Sequence, residues 1–144
     1  YKFMDDAAYD EFGEKYDRLV FDAMDARSWF NVVHIHSFTP EPEKSMFRRL
    51  ADYPANCINW HDRWCGPSLA EARKLTHKCL IGGIHEEQFL NKVDYSVLYA
   101  HVREAIESAG GRGFMLGPGC TIYEDTPLEN YFAVRMAVEK YGWP

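Results

Sequence analysis

A chain of 144 residues, 47% hydrophobic and 26% charged, has the apolar material for one domain with a real core, which excludes extended disorder. Its net charge of -6, with no basic cluster larger than Arg48-Arg49, would repel a polyphosphate backbone and argues against nucleic acid as a partner. No apolar run approaches the ~20 residues of a membrane span, and Tyr1-Lys2-Phe3-Met4-Asp5-Asp6 lacks the regions of a signal peptide, so the expected address is the cytoplasm.

The first predicted element is an amphipathic helix from Asp5 to about Ala26. Phe12, Tyr16, Leu19, Val20, Ala23 and Met24 recur at helical spacing opposite Glu11, Glu14, Lys15, Asp17 and Arg18, and the stripe Phe12, Tyr16, Leu19, Val20 is expected to be core. The chain opens on Tyr1 rather than methionine, directly before this pattern, which implies that something lies upstream. The first strand is expected from Phe30 to His36. Pro40 and Pro42 suit the start of a helix whose buried stripe is Met46, Phe47, Leu50 and Ala51, and Tyr53-Pro54 stops it. Ala55 to Trp60 is the second strand, ending in the polar loop His61-Asp62-Arg63-Trp64-Cys65-Gly66-Pro67. Ser68-Leu69-Ala70-Glu71 is a capping box opening a short helix to about Thr76.

Lys78 to Gly83 reads as the third strand, with Ile84-His85-Glu86-Glu87 as an exposed loop after it. A helix from about Asp94 to Ala109 carries Val97, Leu98, His101, Val102, Ala105 and Ile106 on one face and stops at Gly110-Gly111. Gly113 to Leu116 is the fourth strand. Thr126-Pro127-Leu128-Glu129 then combines a threonine cap, a proline at the first helical position and a capping-box glutamate to open the last helix, which Gly142 ends.

A leading helix followed by four strand-helix repeats with short apolar strands is the signature of a parallel α/β sheet. Ligands in such folds lie at the C-terminal ends of the strands. His34 and His36, His61 and Asp62, His85 and Glu86, and Cys120 and Asp125 all fall there. His34 and His36, two apart on a strand, leave it on the same face, and Cys120 follows a second apolar run. Together they offer two nitrogens and a sulfur, a three-ligand set suited to zinc with a fourth position open; the alternative is two hydrogen-bonded histidines and a buried thiol. His61 and Asp62 are an acid/base or substrate-orienting pair, or else a solvated turn; His85 and Glu86 suit a fourth ligand less well than an exposed loop. Trp60 and Trp64 flank the expected mouth and could stack on a flat tetrapyrrole, with core packing the alternative for Trp60. His77 and His101 read as structural. Cys57, Cys65, Cys79 and Cys120 show neither C-x-x-C spacing nor the density of a disulfide scaffold, so they read as free thiols.

Several of these strings carry a family likeness. Val33-His34-Ile35-His36, Asn59-Trp60-His61-Asp62, Ile81-Gly82-Gly83 and above all Gly113-Phe114-Met115-Leu116-Gly117-Pro118-Gly119-Cys120 with Asp125-Thr126-Pro127-Leu128-Glu129-Asn130 resemble the uroporphyrinogen decarboxylase superfamily. The likeness runs over nearly the whole chain, as a single domain over residues 1–144, and implies the C-terminal half of a TIM-type (βα)8 barrel whose N-terminal half is absent here. One branch of that superfamily decarboxylates uroporphyrinogen without a cofactor. The other comprises zinc-dependent methyltransferases that move a methyl group between a corrinoid and a thiol such as coenzyme M, holding zinc with an H-x-C pair and a later cysteine. His34 matches the histidine, Cys120 the later cysteine, and His36 stands where the middle cysteine would be. The decarboxylases usually show histidine at the Cys120 position. The likeness therefore implies methyltransferase-like chemistry with zinc at His34, His36 and Cys120. The alternatives are decarboxylation, for which Arg63 and Arg112 are the only arginines near the expected strand ends, and a catalytically silent partial-barrel subunit. Expected ligands are a thiol, a corrinoid or a tetrapyrrole. Four strands leave open edges and the inner faces of Val33, Ile35, Ile58 and Met115 uncovered, which implies a homodimer, the missing half, or the leading helix folded over the open face.

Overall fold

β-branched and apolar runs bounded by Asn, Gly and Pro form the strands, as their propensities require. In the computed structural model, which describes residues 4–24, 28–37, 45–87 and 94–142, these are β1 (Val32–Ile35), β2 (Cys57–Trp60), β3 (Cys79–Ile84) and β4 (Phe114–Pro118). All pair in parallel in the order β1-β2-β3-β4. An order that never reverses is that of a singly wound βα barrel; a doubly wound sheet reverses at a switch point. The α/β class and the partial-barrel architecture read from the sequence are both present.

Side-chain parity divides the sheet into two faces. Ile35, Ile58, Trp60 and Leu80 are buried on one face, in a core completed by α3 (Phe47–Leu50), α4 (Leu69–Leu75) and the Ala105 and Ala109 side of α5 (Tyr95–Ala109). Val32, His34 and Met115 lie on the other face, Met115 being 45% exposed. The expectation that Val33, Ile35 and Ile58 line the uncovered face is corrected. If His34 looks inward, its neighbours Val33 and Ile35 must look toward the helices, and Ile58 follows because it pairs with Val33. Of the four, Met115 alone is on the uncovered face. A second core of Ile84, Val102 and Ala137 fastens α6 (Leu128–Tyr141) to α5.

The leading helix is α1 (Asp6–Tyr9), a π-helical turn (Asp10–Glu14) and α2 (Lys15–Asp22). Gly13 leaves room for the Tyr9 ring, because a Cβ there would lie 2.1 Å from it. The apolar stripe does not enter the core: Phe12, Tyr16, Leu19 and Val20 are all more than half exposed. The body is instead met by the adjoining face. Tyr9 Oη donates to Asp17 (2.6 Å) and lies 2.7 Å from Tyr53 Oη, Phe21 packs edge-on against Tyr53, and Arg49 of α3 pairs with Glu14 and Asp10. Those contacts set the helix against α3 and the turn after it.

The capping box of α4 is formed, with Glu71 Oε2 accepting from Ser68 N at 2.9 Å. Asp94 caps α5, and Gly110 ends it in the left-handed region at φ 82°. The expected cap of α6 is corrected: Pro127 occupies the cap position without a side-chain cap bond, and Thr126 lies one residue outside, buried. Pro40 and Pro42, read as a helix start, and the last residues of the expected first helix, Asp25 and Ala26, fall outside the described residues.

Candidate metal centre

Parallel register sets His34 beside Asn59. The Asn59 amide nitrogen donates to the carbonyls of Ile81 and Pro118, both at 3.1 Å, so its oxygen is turned to His34 Nδ1 at 2.6 Å. With its donors committed, the amide can only accept from the imidazole, which assigns the proton to Nδ1 and leaves Nε2 with a free lone pair. Nε2 lies 3.8 Å from Cys120 Sγ. Cys120 comes this close because Gly119 has no side chain: a Cβ there would meet the Trp60 carbonyl at 2.9 Å and His61 Cα at 3.1 Å.

His61, the residue after β2, completes the group. One ligand atom each from His34, His61 and Cys120 lie within 4.8 Å of one another. Donors around tetrahedral zinc stand ~3.5 Å apart, given bonds of ~2.0–2.3 Å, so a small inward movement would close the set. His61 is buried, its ring edge-on to His36 (centroids 4.6 Å apart) and to Trp64 (4.8 Å), and neither ring nitrogen has a hydrogen-bond partner among the described residues. Burial, then the fields of His36 and His34, lowers its pKa to about 4, keeping it in the neutral form that ligates metals. Two nitrogens, a sulfur and buried unsatisfied donor atoms fit a zinc ion.

The group differs from the expected one by a single exchange. His36 is exposed, with its ring 5.9 Å from that of His34, and stands beside His61 outside the converging three. The rings of His36 and His61 stand almost equally far from that of His34, 5.9 and 6.0 Å between centroids, so strand spacing does not separate them; the ring nitrogens do, since those of His61 and not of His36 converge with His34 and Cys120.

Asp62 is no solvated turn. Its carboxylate is buried and accepts from Gly83 N with both oxygens, at 3.0 and 3.2 Å, tying the end of β2 to β3. Gly82 makes room, since a Cβ there would lie 2.7 Å from Asp62 Oδ1. Burial raises the Asp62 pKa to about 7 against the pull of the Gly83 N–H and Arg63. Glu86, expected in an exposed loop, is buried 3.5 Å from His61 Nδ1. His85 is half-buried and donates its backbone N–H to His101 Nε2. Trp60 belongs to the core, packed on Phe47 at 4.5 Å with its indole donating to Pro67 O, while Trp64 is partly exposed beside His61. Arg63 is engaged by Glu104, Asp62 and Gly83 O, and Arg112 precedes Gly113 at the N-terminal end of β4, the opposite end from the site.

The residue that sequence reasoning passed over is Asn59. A polar side chain inside a strand of otherwise apolar or small residues, level with His34, was the available signal.

No curated protein matches the sequence. Among solved structures, a methyltransferase from Methanosarcina mazei is similar in fold, with a TM-score of 0.77 and 19% identity over 97% of this chain. The chain spans 39% of that protein's length. No helix among the described residues is long and apolar enough to cross a membrane. The family comparison matches uroporphyrinogen decarboxylase (URO-D) over residues 2–141, almost the entire length, and the chain therefore belongs to that family.

Proposed function

We propose that this URO-D family chain carries the thiol-activating zinc centre of a methyltransferase-like enzyme, with His34, His61 and Cys120 as ligands and His36 at its mouth. The observation that carries this reading is the Asn59–His34–Cys120 chain, in which an amide with no spare donor forces the His34 lone pair toward a sulfur 3.8 Å away. Bound there, zinc would supply a Lewis acid that holds a substrate thiol as thiolate at neutral pH. The protein's own part is positional. Asn59 orients His34, Gly119 admits Cys120, Asp62 locks β2 to β3 beneath His61, and Trp64 and His36 wall the side on which a thiol and a corrinoid methyl donor would meet. The centre would present the substrate thiol as the nucleophile and a corrinoid would supply the methyl group, with the thiol proton passing to solvent. Decarboxylation is not favoured, because Arg63 is committed to its ion pairs and Arg112 is at the wrong end for substrate carboxylates.

Elemental analysis of purified protein beside Cys120→Ser and His34→Ala tests the centre. About one zinc per chain in the parent and a large loss in both variants is expected, with coenzyme M binding by calorimetry only when zinc is present. Negligible metal in all three proteins would end the reading.

A further inference from the structure

One buried carboxylate beside the centre has no task in the scheme above. Glu86 follows β3, and its side chain is 6% exposed against 4% for His61. Glu86 Oε1 lies 3.5 Å from His61 Nδ1, while Glu86 Oε2 and both ring nitrogens of His61 have no hydrogen-bond partner among the described residues. An ionised carboxylate out of water is costly unless a donor or a nearby positive charge compensates it. His61 Nδ1–H is the donor in reach.

We infer that Glu86 is a positioning residue for the metal centre: it accepts the Nδ1 proton of His61, holds Nε2 toward His34 and Cys120, and supplies the negative charge that balances the bound cation. This rests on the zinc reading above. His34 is held in the same way by Asn59, so both imidazoles would present Nε2 to one point with Nδ1 engaged behind. The two devices differ in charge. A dication with two neutral imidazoles and one thiolate carries a net positive charge, and the Glu86 carboxylate across the His61 ring cancels it; Asn59 cannot. Glu86 is not itself among the converging ligand atoms. It meets the ring at Nδ1, the nitrogen turned away from the centre once Nε2 ligates.

The test is zinc affinity by competition with a chromophoric chelator, and the visible spectrum of the cobalt(II)-substituted protein, for the parent, Glu86→Gln, Glu86→Ala, His61→Ala and the His61→Ala/Glu86→Ala double variant. The expected result is a loss of ~10-fold for Glu86→Gln and up to ~100-fold for Glu86→Ala. The thiolate-to-cobalt band should be retained, with the same four-coordinate spectrum. In the His61→Ala background, removing Glu86 should cost far less than in the parent, because only its charge is then lost, which a merely structural carboxylate would not reproduce. Glu86→Gln is nearly isosteric and keeps the inference testable should Glu86→Ala fold poorly. Parent-like affinity in both Glu86 variants overturns it, and so does a changed coordination spectrum, which would make Glu86 a ligand. A parent that binds no metal overturns this inference together with the zinc reading, whereas a metal-binding parent with indifferent Glu86 variants overturns this inference alone.

Discussion

At the scale of single residues, the tightest constraint is Asn59, which serves three strands at once by donating to β3 and β4 and accepting from β1. Truncation removes the donors of two carbonyls and the acceptor that orients His34. Asn59→Ala should therefore lower stability by about 1–3 kcal/mol, the cost of leaving buried polar groups unmet, and weaken zinc binding ~10–100-fold. Urea melts and chelator competition on the same preparation check both, and a loss of stability with unchanged zinc affinity would mean that His34 needs no orienting. His101 carries a different expectation. Burial, then the charge of Arg63, lowers its pKa to about 4, with Glu104 pulling the other way. Its folded-state value thus lies below the unfolded value near 6.5, so between those two pH values unfolding takes up a proton. Its contribution to stability is complete above pH ~6.5 and is lost as pH falls toward about 4. Urea melts of metal-free protein across that window should show stability declining with acid, and His101→Gln should flatten the decline; an equal slope in both proteins would assign it to other groups, His61 first.

At the scale of elements, Arg73 on α4 gathers the base of the domain. Its guanidinium donates to the carbonyls of Ala109, Lys78, Arg112 and Gly113, joining the end of α5 to the starts of β3 and β4. A planar fork can serve acceptors in several directions and an ammonium cannot, so Arg73→Ala should cost about 2–3 kcal/mol and Arg73→Lys should recover only part of it. Equal urea midpoints for the parent and Arg73→Ala would refute this. That clamp was not legible in the sequence, because its acceptors are backbone carbonyls brought together only by the fold. The order of strands and helices was legible, since apolar periodicity, the Ser68–Glu71 box and Gly110 are local signals. Periodicity showed that the leading helix has an apolar face but not whether anything covers it, so Phe12, Tyr16, Leu19 and Val20 were read as core and are exposed. The site divides the same way. His34 and Cys120 stood out by residue type, whereas the entry of His61 and the burial of Glu86 depend on how close β1, β2 and β3 lie, a distance between strands that no local spacing encodes.

At the scale of the whole molecule, many of the large exposed apolar groups lie where further barrel would pack. Among the described residues, β1 and β4 each have one unpaired side, Val32 and Met115 face no opposing layer, and the stripes of the leading helix and of α6 (Leu128, Phe132, Met136) are turned to solvent at the two flanks. A closed βα barrel has eight strands, the described residues form four, and the similar methyltransferase is more than twice as long. Parallel sheets are buried on both faces, and an unpaired apolar edge pairs with what it meets. Two copies related by a two-fold axis along the barrel would supply the missing four strands, setting β1 of each beside β4 of the other and bringing the α6 stripe of one toward the leading helix of its partner. Prepared as these 144 residues alone, the protein should therefore self-associate, with the candidate metal centre on the face that association encloses. Sedimentation at micromolar concentration should give a dimer or larger species, and Phe132→Glu with Met136→Glu should shift it toward monomer. A stable 16.7 kDa monomer that unfolds cooperatively would show that the half-barrel stands without a partner.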